Sequence, residues 1–227
     1  MAEKRSLRVV VPVEELSDFF LLLQQGVWLQ AQTGCSIASL LTEQFGIKEN
    51  YIVERVTTLF LDCMPIDDLK TTYVKDGSTL ALSSAMPGLV GTTMRRGSHL
   101  AAMRGDISYQ SRQQVASGAG RVRIKLFNMV MTELGAIFLA HGICLTYGEL
   151  DTLLSEMNDS FWQSINDAFV DDLQIDPASL LNRVRSALPH EEILLKVEFK
   201  SWRLYAEYRF VVSHVSREQE HQNASER

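Results

Sequence analysis

The chain has 227 residues, of which 46% are apolar and 22% charged, and a formal net charge of −6. These values argue against a fibrous or disordered chain and allow either one large core or two small ones. The acidic balance gives no global attraction to nucleic acid or anionic lipid. Three scattered cysteines (Cys35, Cys63 and Cys144) argue against a disulfide scaffold or a CxxC metal pair.

Leu7–Val13 reads as a short β-branched strand, and Pro12 places it at a sheet edge or a strand end. Its apolar run is too short for a secretory signal, and no stretch approaches the roughly 20 apolar residues of a membrane span. The expectation is a cytoplasmic protein without membrane contact. Glu14–Gln25 is compatible with a helix that opens on acids. The favoured alternative makes Phe19–Leu23 and Val27–Gln32 two arms of a hairpin turning at Gln25-Gly26. In the second arm Val27, Leu29 and Ala31 fall on one side, with Trp28, Gln30 and Gln32 on the other. Ser36 is an N-cap, Ile37, Leu40, Leu41 and Phe45 follow at helical spacing, and Gly46 ends the helix. Val56–Leu61 is a strand, Asp62-Cys63 a turn, Asp76-Gly77 a second turn, and Leu80–Leu82 a strand.

That order of elements resembles the small sulfur-carrier proteins of the ubiquitin-like β-grasp family that serve molybdopterin and thiamin synthesis. The resemblance covers residues 26–91. It is carried by Val27–Leu41 with Thr33-Gly34 before the helix, by Thr58–Leu61 followed by Asp62, by Lys75-Asp76-Gly77 leading into Leu80-Ala81-Leu82, and by Pro87-Gly88…Gly91. It implies a β-grasp fold and, through that fold, a link to sulfur or cofactor metabolism. The carriers use a free C-terminal Gly-Gly carboxylate. Gly88 and Gly91 are internal, so carriage here requires processing near them.

Beyond Met86 the chain turns polar and glycine-containing until Arg121–Leu126, a strand with Val122, Ile124 and Leu126 on one side. Phe127–Ala140 repeats apolar residues near 3.6 and stops at Gly142. Thr146–Met157 and Phe161–Leu173 read as helices. Asp176 caps a further helix that carries Pro177 in its first turn and runs to about Leu188. Ile193–Phe199 and Arg203–Val212 read as strands around Lys200–Trp202. The fold class expected is α+β: a ubiquitin-like β-grasp domain over 1–91, a basic glycine-containing linker or loop over 92–120, a second mixed α+β domain over 121–215, and a polar tail over 216–227.

No catalytic constellation stands out. His99, His141, His190, His214 and His221 share no metal-ligand spacing, and the acid pairs Asp67-Asp68, Asp171-Asp172 and Glu191-Glu192 read as solvated faces. No residue is assigned to catalysis, to a metal or to a cofactor. Between Arg95 and Lys125 lie seven cations and one acid, Asp106. Arg95, Arg96, Arg104, Arg112, Arg121, Arg123 and Lys125 are therefore the candidate anion or partner site, and the loop glycines Gly88, Gly91 and Gly97 would let backbone approach an anion. Tyr109 is the only aromatic interleaved with them, which disfavours single-stranded nucleic acid. Trp202, at a hairpin tip, is a candidate partner anchor. The expected function is a non-enzymatic binding or protein-interaction module whose partner is another protein or an anionic small molecule. The alternatives are a sulfur-carrier precursor and an enzyme acting on an anionic small molecule.

Overall fold

Alternation builds the sheet. Along residues 121–126 every second side chain (Val122, Ile124, Leu126) is fully buried, whereas Arg121, Arg123 and Lys125 point the other way. The same alternation holds in Leu7, Val9 and Val11 and in Ile193, Leu195 and Val197. The computed structural model describes residues 5–107, 109 and 116–201. Its strands are β1 (Ser6–Pro12), β2 (Val27–Thr33), β3 (Thr58–Leu61), β4 (Met64–Pro65), β5 (Thr79–Ser83), β6 (Gly118–Phe127), β7 (Ile143–Thr146), β8 (Asp167–Val170), β9 (Leu173–Ile175) and β10 (Glu192–Lys200). They form one mixed sheet in the order β4-β3-β5-β6-β2-β7-β10-β1-β8-β9.

Helices cover the apolar face. They are α1 (Phe20–Gln25), α2 (Ile37–Ser39), α3 (Glu49–Arg55), α4 (Gly88–Met94), α5 (Met129–His141), α6 (Tyr147–Glu156), α7 (Asp159–Ser164) and α8 (Leu180–Arg185). The longest, α5, packs against β6 and β10 and touches α1, where a Cβ on Gly135 would meet Leu23. Phe138 of α5 meets Phe45 edge-on at 5.2 Å, and Phe19 meets Phe161 and Phe199 at 5.9 and 6.1 Å. These contacts tie the first fifty residues to the last third of the chain in one core. Among the described residues no helix is long and apolar enough to cross a membrane.

The two-domain expectation fails on this connectivity. β2 and β5 both come from the first ninety residues but do not pair. β6, from residues 118–127, lies between them, antiparallel to β2 and parallel to β5. β1 sits in the other half of the sheet, between β10 and β8. Residues 26–91 thus contain no self-sufficient β-grasp unit, and the family resemblance falls with it. The physical reason is burial: Val27 and Leu29 on one side, and Leu80 and Leu82 on the other, reach full burial flanking the stripe on β6.

Local expectations met mixed outcomes. Ser36 caps its helix, accepting from the Ser39 N–H at 3.1 Å, and the last turn widens so that the Phe45 N–H reaches the Leu40 carbonyl. Asp62 and Cys63, both at positive φ, form the turn between β3 and β4. The hairpin over 19–32 is absent. Val13–Phe19 is a 3₁₀ segment that runs into α1, and Gly26 at φ 104 ends it. Phe161–Leu173 is not one helix either. After α7 the chain forms β8 and β9 around Asp171 and Asp172, both at positive φ. Pro12 ends β1, but β1 is an interior strand. Of the expected linker over 92–120, 92–94 is the end of α4, 101–107 is a 3₁₀ segment, and 118–120 opens β6. Trp202, the strand over 203–212 and the tail over 216–227 lie outside the described residues, as does Arg112.

Candidate functional site at the seam of the sheet

One junction in the sheet is much shorter than its neighbours. β2 pairs with β6 over seven residues but with β7 over two, Trp28 with Cys144 and Leu29 with Ile143. β7 is short because Thr146 turns the chain into α6. Its hydroxyl accepts from the Glu149 N–H, while the Glu149 carboxylate accepts from the Thr146 N–H at 2.7 Å. This capping box stops the strand and starts the helix. α1 ends just before β2. The chain ends on both sides of the seam therefore leave a cleft.

Two adjoining hollows fill it, of about 430 and 380 Å³, and both are lined by Trp28, Cys144, Leu145 and Glu149. Trp28 is half-buried on the face opposite the core. The Arg123 guanidinium stands 5.8 Å from its ring centroid, and Arg123 Nε donates to the Gly26 carbonyl at 3.4 Å. Gly26 has to be glycine here: its φ is positive, and a Cβ would come within 2.9 Å of Arg123 Nε. The larger hollow runs between α1 and α6, past Leu21, Leu22, Leu153 and Met157 to Asp18 and Glu156. Asp18 Oδ2 is buried and, among the described residues, meets no N–H or hydroxyl donor. Its neighbour Glu15 is pushed above the usual carboxylate range, first by burial and then by its hydrogen bond to Asp18. The smaller hollow ends at Asp76, Arg121 and Glu192.

Of the seven predicted cations, the six among the described residues do not gather in one cradle. Arg121 is committed to Glu192, with Nη2 to Oε2 at 2.7 Å. Arg123 lines the larger hollow, and Lys125 shares its strand face. Arg95 and Arg96 follow α4 and Arg104 lies in the 3₁₀ segment after it. Arg96 Nη2 donates to the Ile52 carbonyl at 2.9 Å; burial draws its pKa down, against the pull of Asp67. The Arg104 side chain is wholly buried and donates to Asp67 at 2.7 Å, while its Nε and Nη1 meet no acceptor among the described residues. Arg95 is exposed. Gly88 and Gly97 adopt positive φ, and a Cβ on buried Gly91 would overlap the Met86 carbonyl. These glycines shape α4 and its flanks.

Among the described residues no group of His, Cys, Asp and Glu is placed to hold a metal ion. The three cysteines are unpaired. Burial raises the Cys35 thiol above its ordinary range, the wrong direction for a nucleophile, and its Sγ donates to the Gln32 carbonyl at 3.2 Å. Trp28, Asp18, Glu149 and Glu156 were not predicted as site residues. The alternation in β2 places Trp28 outside the core, and Thr146-x-x-Glu149 is a visible capping signal. Nothing local marks Asp18. The chain matches no family model, no curated protein and no solved structure.

Proposed function

We propose that this protein is a non-enzymatic binding module and that the seam cleft holds its ligand. The observation that carries the proposal is the cleft itself: two adjoining hollows where β2 and β7 pair over only two residues, walled by an indole, an arginine and leucines of α1 and α6. Ligand sites favour concave, mostly apolar clefts with a few placed polar groups. No histidine lines either hollow beside Cys144, so the lining described holds no cysteine–histidine pair. Three unpaired cysteines suit a reducing, cytoplasmic setting. Ligand-observed NMR with a small-molecule fragment library tests the proposal. Binders should compete with one another and lose affinity in Trp28→Ala and Arg123→Ala. A library that yields no binder sensitive to either substitution counts against it.

A further inference from the structure

We infer that a separate hollow, between α8 and the start of α6, binds a small carboxylate that carries an apolar group, with Tyr147, Arg5 and Arg183 as its donors. The hollow measures about 340 Å³ and shares no lining residue with the seam cleft, so the inference stands apart from that reading. The chain path builds it. The Tyr147 and Gly148 N–H groups donate to the Glu191 and Pro189 carbonyls, both at 2.9 Å, and fix the start of α6 against the chain that leaves α8. Tyr147 lines the hollow and is only 7% exposed, yet no described residue hydrogen-bonds its hydroxyl. A buried phenol ordinarily finds a partner. Burial raises its pKa, which keeps it a donor, and Arg5 is near enough for its charge to pull the other way.

Two guanidiniums join the phenol in the lining, against one carboxylate, Glu191. Arg5 Nε meets Asp171 at 2.5 Å, and Asp171 also accepts from the Ser6 N–H at 2.8 Å. Arg183 Nε donates to the Ser179 hydroxyl at 3.3 Å. Both contacts use Nε, which leaves the terminal Nη donors for a ligand, and paired N–H donors match a carboxylate. The rest of the lining is apolar. Leu7, Leu180, Val184 and Ile193 reach it from the core, and Leu188, 55% exposed, gains cover when a ligand enters. Donors beside aliphatic walls, in a space of this size, select a small amphipathic acid.

Amide NMR titrations of the full chain at low salt, with 4-methylpentanoate, 4-methylpentanamide, 3-methylbutylammonium and acetate, test this. 4-Methylpentanoate should bind and shift the signals of Tyr147, Gly148 and Val184. The amide loses the charge-assisted hydrogen bonds and acetate loses the apolar contact, so each should bind about tenfold more weakly or worse. The ammonium should leave those signals in place. Tyr147→Phe, which keeps the ring, and exposed Arg183→Gln should each weaken 4-methylpentanoate by about five- to tenfold. Trp28→Ala, in the seam cleft, should change nothing. Amide or ammonium binding as tight as the carboxylate, or full affinity in both variants, overturns the inference. So does the absence of 4-methylpentanoate binding. Binding that Trp28→Ala abolishes moves the acid to the seam cleft, which overturns this site and supports that one.

Discussion

Arg121 on β6 donates both Nη groups to Glu192 on β10, reaching past β2 and β7, which lie between them in the sheet. Asp76 supports the arrangement from below, accepting from the Arg121 N–H at 2.7 Å. The bridge thus spans the seam where β2 and β7 share only two residue pairs. Its side chains are 43% and 40% exposed, so solvent screens it. A double-mutant cycle with Arg121→Ala and Glu192→Ala should give a coupling of about 0.2–1 kcal/mol, shrinking with added salt. Amide exchange at Trp28 and Cys144 should accelerate more than at the centre of β6. Uniform acceleration across the sheet would show that the bridge does not brace the seam in particular.

A second ion pair is of a different kind. Arg55 of α3 and Glu133 of α5 are almost fully buried, and the Tyr51 hydroxyl donates to Glu133 at 2.6 Å. Burial and the Glu133 carboxylate push the Tyr51 phenol far above its usual range. Glu133→Ala leaves a buried guanidinium unpaired and should cost roughly 3–5 kcal/mol in urea unfolding. Tyr51→Phe should cost about 1–2 kcal/mol. Replacing both charges, as Arg55→Met with Glu133→Leu, should recover most of the loss. A double variant as unstable as Glu133→Ala would mean that the pair contributes more than mutual neutralisation.

Gly88 and Gly91 separate two uses of glycine that the sequence cannot distinguish. Gly88 is exposed at φ +75 with open space around it, so Gly88→Ala should cost only about 1–2 kcal/mol of backbone strain. Gly91 is buried against the Met86 carbonyl, and Gly91→Ala forces backbone apart. Limited proteolysis should cut Gly91→Ala within 86–94 and leave Gly88→Ala close to wild type. The opposite order would sink this account of α4.

His141 sets a pH dependence. Its ring meets Phe45 edge-on at 5.0 Å, and burial followed by the charge of Lys196 lowers its pKa below the ordinary value. The unfolded chain, titrating near 6.5, takes up the proton first as pH falls. The stability held by neutral His141 is therefore complete above about pH 6.5 and lost as pH drops through the lower folded value. Glu15 has the opposite sign. Its folded pKa is raised, so its contribution is present below about pH 4.5 and lost as pH rises through the folded value. In unfolding measurements between pH 4 and 8, His141→Gln should flatten the acid-side loss, whereas Glu15→Gln should gain stability over wild type toward neutral pH. Parallel profiles for His141→Gln and wild type would remove His141 as the cause.

Local features were legible where one physical signal dominated. Ser36 with Ile37, Leu40 and Leu41 announced a helix, and the alternation Val122, Ile124, Leu126 announced a strand. The run Phe19–Leu23 misled because five consecutive apolar residues carry no period, and the terminating Gly26 serves a hairpin and a helix end equally well. Asp171-Asp172 hid a two-residue turn, since both residues adopt positive φ without a glycine to mark it. The cleft was illegible for a deeper reason. Asp18, Trp28, Cys144 and Glu156 come from four separate elements, and only the pairing of β2 with β7 brings them together.

The insertion of β6 between β2 and β5 leaves the first ninety residues unable to complete a sheet of their own. Residues 1–91 hold β1 to β5, yet β1 pairs with β10 and β8, and β2 and β5 each pair with β6. Without β6 the strand pairs left to the fragment are β3 with β4 over two residues and β3 with β5 over four, too little to hold a core alone. Val27, Leu29, Leu80 and Leu82, all buried in the full chain, would lose the neighbour between them. A fragment of residues 1–91 should therefore show no cooperative unfolding transition and poorly dispersed amide NMR signals, whereas the full chain unfolds as one unit. Cooperative unfolding of the fragment, with dispersed signals from β2 and β5, would mean that the first ninety residues fold without the rest of the sheet.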